Sequence, residues 1–258
     1  MRRYARYALY SEIKKLLCGR NAEKVLLEHS GVICRVIPEL TPCIGFHQHN
    51  PHHIYDVYTH TVKTVSGVPG EPALRLAALF HDIGKPSTFS IKDGIGHFYG
   101  HCAEGVRIAE TIFDRLKSDK RTKNEALILI KYHDTQIPAD EKYVRRYLNR
   151  LGNDTLKKLI ALQRADNHAQ APEHASRIAV YDEILEIIKK IETASDCFTL
   201  KQLKINGDTL ISLGIPKGKE IGIILNSLLD KVISGEIEND PEKLKTEALH
   251  LRNIQGTF

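Results

Sequence analysis

His81 and Asp82 stand side by side at the end of an apolar run, Leu74 to Phe80, that has no helical polar face. An imidazole and a carboxylate do not leave water for such a place unless something compensates their desolvation. A divalent ion would do so, and would bring chemistry with it. Further donors of the same kind, His60, His101, His133 and Asp166, fall at or near the ends of other predicted helices. Nitrogen and carboxylate donors without a thiolate suit a hydrolytic transition-metal site better than a bare calcium or magnesium site. The expected cofactor is one or two divalent ions from the set Mn, Ni, Co, Fe, Zn and Mg. His60, His81, Asp82 and Asp166 can close around one ion. If Asp82 bridges, His101 and His133 can hold a second about 3.5–4 Å away. Such a centre acidifies water into a nucleophile for in-line attack on phosphorus. Lys85, one helical turn past His81, would offset charge building on the phosphoryl oxygens. Asp82 and Lys85 are the expected catalytic residues.

These side chains need helices to carry them, and nearly every segment reads as helix. Residues 1–45 are expected to be helical, with Arg2, Arg3 and Arg6 interleaved with Tyr4, Tyr7 and Tyr10. That pattern suits RNA by charge and stacking, or a basic helix end whose tyrosines pack inward. Residues 45–65 hold His47, His49, His52, His53 and His60; Pro51 is placed to start a helix, and Asp56 could orient the His60 ring. Of these histidines only His60 is taken as a ligand, the others as pocket lining or surface. Asp93-Gly94 marks a tight hairpin within Thr88–Phe98. Helices are then expected over 103–116, 126–132, 143–151, 155–170 and 172–191, with 118–125 (SDKRTKNE) as a polar connection. The exposed sides of two of them include Arg145, Arg146, Arg150, Lys157 and Lys158, a solvated face or an RNA-backbone contact. Beyond Leu200, Asn206-Gly207 reads as a turn and Asp208 as a helix N-cap. Lys217, Gly218 and Lys219 open another helix, whose start could hold a phosphate.

Composition closes off other classes. The five cysteines are odd in number and form no CxxC pair, which disfavours a disulfide framework or thiolate zinc site. No apolar run approaches a membrane span, and the basic N-terminus lacks an apolar signal core, so the expected setting is a cytoplasmic protein with no membrane partner. A net charge of +5 over 258 residues permits a phosphate-bearing partner without requiring one.

His60, HDIGKP (81–86) and Asp166 together resemble the metal-binding pattern of the HD phosphohydrolase superfamily. More closely, HNPHHIYDVYTHT, LAALFHDIGKP, GHFYGH, YHD and RAD, with the late stretch INGDTLISLGIPKGKEIG, resemble the HD, body and tail region of bacterial CCA-adding tRNA nucleotidyltransferases. The resemblance runs from about Ser11 to about Asn253. It implies an all-α fold: an N-terminal helical extension (1–45), an HD helical core with a small β-hairpin (46–172) and a C-terminal helical tail (173–258). It implies His60, His81, Asp82 and Asp166 as ligands of a first metal, His101 and His133 of a second, and Lys85 as the phosphate contact. Those enzymes carry a nucleotidyltransferase head with a DxD carboxylate pair, and this chain has no DxD. Cys102 stands where the resemblance leads one to expect an acidic residue.

Two functions follow as expectations. One is a metal-dependent phosphatase or 2′,3′-cyclic phosphodiesterase acting on nucleotides or RNA ends, for which the complete ligand set speaks. The other is a non-polymerising body that binds tRNA and works with a separate nucleotidyltransferase subunit, for which the retained tail speaks.

Overall fold

The computed structural model describes residues 2–49, 54–170, 177–193 and 198–255. Among them are fourteen α-helices and one two-stranded hairpin, so the chain is all-α as expected. No described helix is long and apolar enough to cross a membrane.

The chain divides into two compact units. The first comprises Met1–Gln136 and Lys157–Tyr181. Its middle is α5 (Pro72–Phe80), started by Pro72 and buried along seven residues, Ala73, Leu74, Leu76, Ala77, Ala78, Leu79 and Phe80. Burying side chains the size of Leu79 and Phe80 stabilises by about 1.5–3 kcal/mol each. That places the residues at its end as firmly as anything in the fold. Around α5 pack α1 (Arg2–Cys18), α4 (Val57–Gly67) and α8 (Lys120–Tyr132). Phe80 meets Phe113 of α7 (His101–Leu116) edge-on, with ring centroids 5.6 Å apart. Helices α2 (Ala22–Glu28) and α3 (Ser30–Val36), then a 3-10 turn at Pro38–Cys43, complete the helical N-terminal stretch. After α5 the chain makes the short α6 (Lys85–Thr88) and an antiparallel pair, β1 (Ser90–Lys92) with β2 (Ile95–His97). Asp93 (φ 53°) and Gly94 (φ 78°) form the expected tight turn between the strands.

Capping explains three departures from the expected boundaries. Helix α4 starts at Val57 because the Asp56 carboxylate accepts from the backbone N–H of Thr59, and from that of Gly45. Asp56 is therefore a helix cap and not the orienting partner of His60; residues 50–53, with Pro51, His52 and His53, lie outside the described residues. Asp56→Ala is expected to cost about 1 kcal/mol, as lost N-caps do, while leaving metal affinity unchanged; thermal melts paired with zinc titrations would check both. Residues 118–125 are not a connection: Asp119 caps Thr122 and opens α8, whose charges pair outward, Lys123 with Glu110 and Asp114. Tyr10 is buried and donates to Asp119, whereas Tyr7 is exposed, so of the two tyrosines described one packs inward. The side chains of residues 2–6 lie outside the description.

The second unit comprises Ile137–Leu156 and Asp182–Phe258. Helix α9 (Glu141–Leu151) is capped by Asp140. The unit divisions fall within α10 (Asn153–His168) and α11 (Arg177–Thr193). Helices α12 (Gly207–Ser212), α13 (Lys219–Ile233) and α14 (Pro241–Gln255) follow, around a core that includes Leu210, Ile224, Leu228 and Leu244. Asn206, not Asp208, caps α12, in a reciprocal capping box with Thr209.

Candidate metal centre

Five helices aim their ends or first turns at one point. His60 lies in the first turn of α4, His81 caps α5, His101 opens α7 after Gly100 (φ 83°), His133 caps α8, and Asp166 comes from the last turn of α10. All six residues expected as ligands are thus brought together. His60, His81 and Asp82 are almost fully buried.

Each histidine is held from behind. Nδ1 of His81 bonds the carbonyl of Ala78 at 2.8 Å, Nδ1 of His101 that of Phe98 at 2.9 Å, and Nδ1 of His133 that of Ile130 at 2.7 Å. Nδ1 of His60 bonds the carbonyl of Ala169 at 3.2 Å. A carbonyl only accepts, so Nδ1 carries the hydrogen and a neutral ring turns its Nε2 lone pair inward. The front faces group into two sets. His60 and His81 bring their Nε2 atoms to 3.4 Å from each other, with Asp166 Oδ1 2.8 Å from His60. His101 and His133 bring theirs to 3.2 Å. Asp82 lies between: Oδ2 is 3.2 Å from His81 and 3.5 Å from His60, and Oδ1 is 3.5 Å from His133 and 3.7 Å from His101.

Two observations test whether the residues fit a cation. Nε2 atoms facing each other at 3.2 and 3.4 Å need a positive charge between them, either a shared proton or a bound ion. Asp82 Oδ2 is buried and accepts no hydrogen bond, although Lys85 Nζ approaches to 2.7 Å as an ion pair out of hydrogen-bonding alignment. Both fit divalent ions. The protonation balance agrees. Burial opposes charge on His81, yet Asp82 and Asp166 beside it hold its imidazole at about 9. Burial likewise opposes ionised Asp82, and His81 and Lys85 overcome it and hold the carboxyl well below the usual range. With these carboxylates ionised, His81, His101 and His133 favour their protonated forms; a bound ion would displace those protons to solvent.

Over this floor opens a cavity of 350 Å³ lined by Asp82, Lys85, Phe98, Tyr99, His101 and Asp134, among others. Lys85 is buried, with Nζ 2.9 Å from Gln48 Oε1 and over the Phe98 ring. Tyr99, 74% exposed, stacks on His97. Gln48 is a site residue that the sequence does not mark: it sits in HQH between His47 and His49, which are exposed while it is buried. Cys102 also joins the site, with Sγ 3.6 Å from His101 Nε2. Burial opposes its thiolate, but His101 and His133 draw the thiol down to about 6.

In the second unit, α9 exposes Lys142, Tyr143, Arg146, Asn149 and Arg150, with the Arg150 guanidinium over the Tyr147 ring. The other basic residues expected on these faces are engaged, Arg145 with Glu141 and Lys158 with Glu71 and Glu125.

Residues 102–248 match the family model of tRNA nucleotidyltransferase domain 2. The chain is 30% identical over 247 residues to the CC-adding tRNA nucleotidyltransferase of Thermus thermophilus, covering 92% of this chain and 55% of that one. It is 28% identical over 241 residues to the A-adding tRNA nucleotidyltransferase of Deinococcus radiodurans, again covering 55% of that protein. A multifunctional CCA protein of Nitrosococcus oceani matches 45% of this chain at 31% identity. The chain spans about half the length of the first two relatives.

Proposed function

The chain belongs to the tRNA nucleotidyltransferase domain 2 family, and from that premise we propose that the residues described form a tRNA-holding body that serves a nucleotidyltransferase head. The observation that carries this reading is the similarity, over 92% of the chain, to an enzyme named for adding CC to tRNA. The α9 face supplies fitting chemistry. Lys142, Arg146 and Arg150 can neutralise backbone phosphates while Tyr143 and Tyr147 offer aromatic faces. A gel-shift series with tRNA at increasing salt tests it. Affinity is expected to fall steeply with salt. In the combined Lys142→Ala, Arg146→Ala, Arg150→Ala variant the slope should shrink by roughly 0.9 for each phosphate that is no longer neutralised. Binding indifferent to salt, or no binding by the wild type, would sink the reading.

A second reading, a metal-dependent phosphohydrolase, is favoured by the buried Oδ2 of Asp82, which accepts no hydrogen bond and faces His60 and His81. His60, His81, Asp82 and Asp166 would hold one divalent ion, and Asp82, His101 and His133 a second. Such ions supply Lewis acidity and acidify water. The protein's own contribution is positional. Lys85, braced by Gln48 and lying over Phe98, keeps a fixed positive charge in the cavity for phosphoryl oxygens. Gly96 and His97 of the hairpin, with Tyr99, line the same cavity. The substrate class is a nucleotide or RNA end, and the two readings are compatible in one chain.

A further inference from the structure

We propose that Cys102 is a metal ligand, so that the His101–His133 half of the centre is a thiolate site selecting softer ions than the His60–His81–Asp166 half. The proposal rests on the metal-centre reading above and adds a donor and a preference to it. His101, Cys102 and His133 bring one ligand atom each to within 4.8 Å of the others, as do His60, His81 and Asp166. The separations have the right size. A tetrahedral zinc with nitrogens at about 2.05 Å and sulfur at about 2.3 Å separates two nitrogens by about 3.4 Å and nitrogen from sulfur by about 3.6 Å. Here the nitrogens of His101 and His133 are 3.2 Å apart, and Sγ lies 3.6 Å from His101 Nε2. Asp82 Oδ1, facing both rings, supplies the fourth corner.

The other half offers two nitrogens and carboxylate oxygens only. Softness then separates the halves: thiolate favours Zn²⁺ and Co²⁺ over Mg²⁺ and Mn²⁺, while nitrogen–carboxylate donors accept the harder ions as well. The centre is therefore heterogeneous, with one position reserved for a thiophilic ion. A coordinated thiol loses its proton to solvent on binding, so no redox partner is required. Three more cysteines are described, Cys18, Cys34 and Cys43, and none belongs to a donor cluster among the described residues.

Cobalt is the probe. Metal-stripped full-length protein is titrated with Co²⁺ under reducing conditions while the near-ultraviolet absorption is followed and bound cobalt is counted. Wild type is expected to bind two ions and to develop a sulfur-to-cobalt charge-transfer band with one of them. Cys102→Ser should lose the band and bind Zn²⁺ at least tenfold more weakly at one of the two positions. Cys102→Asp should keep two ions without the band and gain Mn²⁺ at that position, which guards against a serine variant that simply unfolds. Two cobalt ions with no band in wild type, or a band that persists in Cys102→Ser, overturns the thiolate ligand and leaves the metal centre standing. No retained cobalt overturns both.

Discussion

Asp82→Asn is expected to empty both halves of the centre at once and to lower hydrolysis of 2′,3′-cyclic AMP by more than about 100-fold, since even the outer partners of metal ligands cost about 10–100-fold. The size of the effect follows from position. Oδ1 faces His101 and His133, and Oδ2 faces His60 and His81. An amide keeps only one acceptor oxygen and must turn its NH₂ toward one imidazole pair. It also leaves Lys85 without the carboxylate 2.7 Å away. Metal content by mass spectrometry, alongside the hydrolysis assay, separates the causes. Ions lost together with activity would establish the bridge. Ions lost from a protein that never hydrolysed the substrate would leave the tRNA-holding reading, which Asp82→Asn should not disturb because the α9 face lies in the other unit.

Gly84→Ala is expected to destabilise the first unit by about 3 kcal/mol or more, the upper end for overpacking. Gly84 has an ordinary φ of −81°, so strain in its own backbone is not the reason. Space is. A Cβ there would sit 2.3 Å from the carbonyl oxygen of His101 and 2.7 Å from the backbone nitrogen of Gly105. Both obstacles are main chain and cannot swing away. At roughly 2–4 °C per kcal/mol for a chain of this size, the melting temperature should drop by about 10 °C. Because the collision pushes on His101 directly, the second metal position should weaken more than the first. A variant that melts like wild type would show that α7 yields at this point.

Much of the centre was legible in the sequence because its donors break a pattern. His81-Asp82 at the end of an apolar helix is conspicuous for the same reason that it needs an ion: desolvation makes uncompensated polar residues rare there. The hairpin was equally legible from Asp93-Gly94. Helix starts were harder. Asp119 and Asn206 cap helices whose first turns are so polar that they read as connection or turn. Asp56 was read through its spacing to His60 when its short side chain was occupied by its own helix end. Gln48 carries no signal, since a single amide between histidines has no period, and Cys102 shows only as a departure from the expected acidic residue, with nothing in the chain to mark it as a donor. Only tertiary packing brings Gln48 to Lys85.

The anchoring of the histidine rings bears on how such a protein can diverge. Three of the four rings are fixed by the carbonyl three residues earlier in the chain, Ala78 and Ile130 in the last turns of α5 and α8 and Phe98 in the turn that leads into α7. Any amino acid supplies that carbonyl. The instruction that sets the imidazole tautomer is thus written in the main chain, where amino-acid replacement cannot erase it so long as the helix end or the turn before it keeps its path. His60 alone takes its anchor from a distant stretch, at Ala169. Over long lineages three corners of the centre are insulated from drift in the residues behind them, and the fourth is the one whose upkeep depends on the path of another segment.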